Sequence, residues 1–213
     1  MNKRIKILLI IFGALLLILV ATYYFGYIIN TNLHTDKKPA IYLYPTEDTR
    51  ISVKLIVNGT ISKDIPKYPK DGWDVFTTKE GLIDNQYDYL FYEAKLNELE
   101  LPEDGWIVAY TDLDNWFEIN LKQFGLNQKE TSQFKEYWLK ELPKSNYYEI
   151  RLLSKDFINK NMQLIIDPTP DTIIRIQFYF RPIKELKEIQ NPIIIKSTRK
   201  GFTVVEWGGI LDN

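Results

Sequence analysis

The chain of 213 residues has no cysteine and a single histidine, His34. Without cysteine there is no thiolate nucleophile, no disulfide staple and no cysteine to carry a lipid, so the fold must hold by its core. His34 lies in a short polar stretch ahead of the main body, which excludes a Ser-His-Asp triad and a zinc centre built on two or three histidines. No glycine-rich phosphate loop of either common spacing is present. An excess of one charge is also missing, because 27 Lys and Arg face 28 Asp and Glu, both signs interspersed. That balance offers no nucleic-acid footprint. Neither cofactor nor metal is expected, and carboxylates are the chemistry-bearing groups that remain.

One long hydrophobic run stands out, from Ile7 to Ile29. About 23 helical residues at 1.5 Å each would cross a hydrocarbon core of about 30 Å. Lys3, Arg4 and Lys6 precede it, and Tyr23, Tyr24 and Tyr27 cluster at its far end. Length and the bulky exit after Ala21 favour a retained helix over a cleaved secretory signal. The expectation is a cytoplasmic segment at 1–6, a single-pass transmembrane helix at 7–29, a tether at 30–38 and one extracytoplasmic domain at 39–213 in the cell membrane. Beyond the run 24 basic residues oppose 28 acidic ones.

The domain reads as strands around a helical insert. Pro39 to Pro45 suggests a short edge or entry strand between prolines. Ile51, Val53, Leu55 and Val57 alternate with polar residues, and Asn58-Gly59 then predicts a hairpin returning over 60–65. Tyr68-Pro-Lys-Asp-Gly-Trp73 and Leu101-Pro-Glu-Asp-Gly-Trp106 share a strand-opening turn. The stretch 86–94 is a strongly aromatic strand. Asn115 or Asp114 begins a helix closed by Gly125, and Asn127 with Glu130 caps a second that Pro143 stops. Further strands are expected at 147–153, 162–167, 172–181, 191–197 and 201–207. In the third of these Ile174, Ile176, Phe178 and Phe180 face one way, and Arg175, Gln177 and Arg181 the other. The fold class expected is α+β, a mainly antiparallel, β-sandwich-like domain with an inserted helical hairpin at about 115–142, preceded by one N-terminal transmembrane helix.

Lys38-Pro-Ala-Ile-Tyr-Leu-Tyr-Pro45, Tyr89-Leu-Phe-Tyr-Glu93, Tyr137-Trp-Leu139 and Gly201-Phe-Thr-Val-Val-Glu-Trp-Gly-Gly209 span the domain. Together they resemble a family of uncharacterised bacterial membrane-anchored or exported proteins with a "KPxIYLYP" opening and a "GFTVVEWGG" ending. The resemblance implies a bacterial source and surface exposure, and it supplies no activity or catalytic residue.

The function expected from the residues is a non-catalytic binding or envelope-associated module. Aromatic side chains Tyr42, Tyr44, Tyr89, Tyr92 and Trp207 are its candidate contacts for an envelope glycan, a peptide or a protein partner. One alternative is a carboxylate-dependent cell-wall glycosidase using Glu93 and Glu206, with Asp104 or Asp112 beside another tryptophan strand. That chemistry needs two carboxyls about 5–9.5 Å apart in one cleft. Another alternative is an assembly partner of a second membrane protein. Asp167 and Asp171, around the proline turn, are the nearest approach to a calcium site, and no metal is assigned to them.

Overall fold

A computed structural model describes residues 12–23 and 34–212. They fall into two compact units, one ending at Leu33 and the other starting at His34. In the first, residues 12–23 form helix α1, on which Leu17 and Leu19 are exposed. Among the described residues no helix is long and apolar enough to cross a membrane. The transmembrane helix expected at 7–29 is corrected accordingly, and residues 1–11 and 24–33 lie outside the described residues. The membrane as partner, the single-pass orientation and the membrane address lose that support.

The second unit opens with β1 (His34–Tyr44), so residues 34–38 belong to a sheet and are no tether. There follow β2 (Thr49–Val57), β3 (Gly59–Ile65), β4 (Trp73–Thr77), β5 (Leu90–Leu96) and β6 (Trp106–Ala109). A 3-10 turn, Tyr110–Asp112, leads into α2 (Leu113–Phe124) and α3 (Gln128–Glu141). The chain ends with β7 (Tyr147–Leu152), α4 (Lys155–Asn161), β8 (Met162–Asp167), β9 (Thr172–Ile183) and β10 (Thr203–Leu211). Seven strands form one sheet in the order β3-β5-β1-β10-β9-β7-β6, and three form a second in the order β4-β2-β8. The class is α+β.

Side-chain alternation sorts these strands between two cores. Ile41, Leu43, Leu90, Tyr92, Val204 and Tyr179 point from the large sheet toward Ile51, Val53 and Leu55 of the small one. Tyr42, Val205, Trp207, Ile176, Phe178 and Phe180 point the other way, onto Phe117, Leu121, Phe134 and Trp138 of the helices. The helices form where capping and spacing agree. Asn127 accepts from the Glu130 amide while the Glu130 carboxylate accepts from the Asn127 amide at 2.8 Å, a reciprocal cap at the start of α3. Gly125 closes α2 at φ 100°, a left-handed position that a side chain disfavours. Helix α2 begins at Leu113, earlier than Asn115, and neither Asp114 nor Asn115 is its capping residue.

Three expectations about the strands are corrected. Asn58-Gly59 does not close a hairpin, because β2 pairs with β4 and β8 whereas β3 pairs with β5. The chain changes sheets there: Gly59 lies so near the Lys95 carbonyl that a Cβ would stand 1.9 Å from its oxygen, and Asn58 Nδ2 donates to Asn161 Oδ1 at 2.9 Å. Second, β1 is central and not an edge, lying between β5 and β10. Pro39 is tolerated because the register shifts around it, at a bulge that asks no ladder bond of its nitrogen. Third, 191–197 is no strand; it lies in an irregular strap over 184–202, pinned where Gln190 accepts from the Gly105 amide and where Arg199 meets the buried Glu130. The sheets are mainly antiparallel as expected, with β9 and β10 the one parallel pair among the described strands.

Candidate functional site

The seven-stranded sheet is wider than the pair of helices on it. The helix-side core draws on β1, β10, β9, β7 and β6 and takes no residue from β3 or β5. The helix-side face of the last two strands, with the bulge of β1, is therefore left as the floor of an open groove. It encloses about 560 Å³, within the range of small-molecule sites.

Alternation along β5 puts Phe91 and Glu93 on the groove floor and Tyr92 on the opposite face. Lys63 comes up beside them because it pairs with Glu93 across the β3–β5 ladder. Lys38 arrives by the β1 bulge, where it holds φ 56°, a left-handed conformation that costs a residue with a Cβ. Its ammonium donates to Tyr89 Oη at 2.7 Å and stands 4.7, 4.9 and 5.5 Å from the ring centroids of Tyr89, Phe91 and Tyr137. Lys63 Nζ is 5.3 Å from the centroid of the same Phe91 ring. The two lysine stems account for the burial of Phe91, which is only 5 % exposed.

Charge in the groove is unevenly matched. Lys37 pairs with Glu141 at 3.6 Å, and Asp88 is held by Lys129 at 2.6 Å and Gln133 at 3.0 Å. The Lys129 hydrogen bond keeps the Asp88 carboxyl below the usual range. Lys38, Lys63 and Glu93 are in no ion pair among the described residues. Aromatic faces orient an ammonium without neutralising it, so the charge on Lys38 and Lys63 is met by no ion pair, with Glu93 across the ladder from Lys63 as the nearby carboxylate.

A second set of charges lies on the opposite face of the sheet. Glu206 and Arg175 are register partners on β10 and β9, joined by an ion pair of 2.5 Å. Tyr92 Oη donates to Glu206 Oε1 at 2.8 Å, and Arg175 donates onward to the Met162 carbonyl at 2.6 Å. Asp36 is buried in the same region with neither oxygen in a hydrogen bond, and the Gln177 amide is likewise unpartnered. Burial pushes the Asp36 carboxyl well up, and the Glu206 charge pushes it further. With its carboxyl pushed toward the protonated form, Asp36 lies beside one matched ion pair, of which Glu206 is fully buried and Arg175 keeps a narrow exposed edge.

The residues singled out from sequence divide accordingly. Glu93 lies on the groove floor, whereas Glu206 is fully buried on the other face, so the pair does not share the cleft that two-carboxylate hydrolysis requires. Asp104 lies near Arg151 and Lys187 elsewhere on the surface, and Asp112 is exposed ahead of α2. Tyr42, Tyr92 and Trp207 have no exposed surface. Tyr42 donates to Gln133 at 2.7 Å, and its ring is 5.2 Å from Tyr89 and 6.2 Å from Trp207. Tyr44 is half-buried beneath Arg199, and Tyr89 alone of the five reaches the groove. Asp171 accepts from the Phe202 amide at 2.7 Å, and among the described residues no cluster of three or more His, Cys, Asp or Glu is placed to hold a metal.

Sequence reasoning missed Lys38, Lys63 and Tyr137 in the groove, and Asp36 and Arg175 between the sheets. Lys38 and Asp36 are hidden when 30–38 is read as a tether. Arg175 and Gln177 are hidden by equating the polar side of an alternating strand with solvent.

No family model matches the chain, and no solved structure matches it. Among curated proteins, it is 49% identical over 64 residues to a Butyrivibrio fibrisolvens protein described as "Uncharacterized protein in bglA 3'region", a match covering 28% of this chain and 67% of that relative.

Proposed function

We propose, for a chain that belongs to the family of this Butyrivibrio fibrisolvens protein, that the β-rich unit is a non-catalytic binding module whose ligand seats in the groove over β3, β5 and the β1 bulge. The observation that carries this reading is Lys38, an ammonium held in a costly backbone conformation and ringed by Tyr89, Phe91 and Tyr137 without a carboxylate partner. A side chain so constrained supports a role in contact with something outside the chain, because strain persists where the surroundings impose it. The glycosidase alternative is disfavoured by the burial of Glu206 and its engagement by Arg175 and Tyr92. Membership of the wider family with the two end motifs fits this proposal, since Lys38-Pro39 in the opening motif forms the bulge that delivers the lysine.

The test is a binding screen of the full chain against polysaccharides, oligosaccharides and peptides, with substrate integrity followed in the same samples. The expected result is retention of a ligand unchanged, with retention weakened by Lys63→Glu, an exposed position. Release of cleaved product at enzyme-like rates would overturn the proposal.

A further inference from the structure

We infer that the groove recognises an anionic saccharide, a polyhydroxylated ring bearing a carboxylate or phosphate; this rests on the binding-module reading above. Three features of the floor set the chemistry. Lys38 and Lys63 both stand within 5.3 Å of the Phe91 centroid. Among the described residues neither is matched by a carboxylate. Two unmatched ammoniums around one apolar ring form a cationic spot with the ring excluding water beneath it, where attraction to an anion is stronger than in open solvent.

Glu93 lies in the same groove and pairs with Lys63 across the ladder. A bare anion would gain from the lysines and be repelled by this carboxylate. A ligand that also carries hydroxyl donors satisfies both, its charge on the ammoniums and its hydroxyls on Glu93, which as a carboxylate can only accept. Tyr137 of α3 also lines the groove, while Gln133 beside it is held by Tyr42 and Asp88. An unmodified cationic ligand is disfavoured because Lys38 already occupies the aromatic cage.

The experiment is calorimetric titration of the full chain with three probes: a galacturonate trimer, its fully methyl-esterified counterpart and inorganic phosphate. The expected result is measurable binding of the trimer, with the ester and phosphate each weaker by roughly tenfold or more, the scale of one lost charge-assisted contact. Lys38→Gln and Lys63→Gln should each weaken trimer binding by a similar factor; Lys63 is exposed, so its variant separates lost contact from lost fold. Equal affinity for the ester would overturn the inference by showing that charge is not read. Equal affinity for phosphate would overturn it by showing that the ring is not read. If the trimer does not bind while an uncharged saccharide or a peptide from the screen is retained in a Lys63-dependent way, this inference fails and the binding-module reading stands. A chain that retains nothing overturns both.

Discussion

Two groups of charged side chains occupy opposite faces of the same sheet and differ in how their charge is answered. Between the sheets, Glu206 and Arg175 answer each other, Tyr92 fills a remaining acceptor, and Asp36 is driven toward its neutral form. In the groove, Lys38 and Lys63 meet ring faces and a phenol oxygen, none of which carries compensating charge. Burial explains the first arrangement, because a lone charge sealed from water is too costly to keep. Access to water permits the second, and ring faces hold the lysines in place. Neutralised charge therefore marks architecture between the sheets, and oriented, unmatched charge marks the surface we propose as the ligand's.

The sharpest way to break this contrast is to strip the buried set. Glu206→Ala should destabilise by about 3 kcal/mol in urea unfolding, because it leaves the largely buried Arg175 guanidinium without a counter-charge. Glu206→Gln should cost less, since an amide oxygen still accepts from Tyr92. On the helix side, Phe134→Ala should cost about 3–5 kcal/mol for a purely apolar reason: Phe134 is fully buried, 5.1 Å from Phe117 and 5.2 Å from Trp207 between ring centroids. An ionic-strength series separates the two causes, with the Phe134→Ala loss the less sensitive to salt.

Asp36 yields a smaller effect that depends on pH. Its carboxyl is raised in the folded state, first by burial and then by Glu206. The folded protein therefore keeps a proton that the unfolded chain releases, so this residue's contribution to stability falls as pH climbs above the unfolded carboxylate value and is least unfavourable below it. The groups facing it are Glu206 and Arg175, with Glu93 and Tyr92 of β5 nearby. Asp36→Asn should flatten that fall, seen as a smaller drop in unfolding midpoint from acid to neutral pH than in the parent chain. An identical pH profile would show that Asp36 is not buried as described.

The smallest stability effect belongs to the groove. Lys63→Gln removes an exposed charge, and its unfolding free energy should stay within about 0.5 kcal/mol of the parent. A large loss would mean that the groove lysines hold the fold together, and the contrast between the two faces would collapse.

Local features were legible in the sequence because they are set by near neighbours. The capping pair Asn127 and Glu130, the stop at Gly125 and the alternation from Ile51 to Val57 all depend on residues a few positions apart. Pairing between distant strands was not legible. Asn58-Gly59 carries the signal of a hairpin, yet the same glycine serves equally where a strand crosses from one sheet to another against the Lys95 carbonyl. Pro39 argues for an edge, but a bulge removes the penalty and leaves β1 in the centre. The groove was hidden for a related reason. Tyr42, Tyr89 and Trp207 were visible as aromatics, but their exposure depends on how far two helices reach across seven strands. That width sends Tyr42 and Trp207 into the core and Tyr89 to the rim.

The central claim, that solutes meet the chain over β3, β5 and the β1 bulge while the opposite face stays sealed, is tested most directly by nuclear magnetic resonance titration of the full chain with the galacturonate trimer. The account predicts shift changes concentrated at Lys38, Lys63, Tyr89, Phe91, Glu93 and Tyr137, with Asp36, Arg175 and Glu206 unmoved. Changes centred on Arg175 and Glu206, with the groove residues silent, would contradict it.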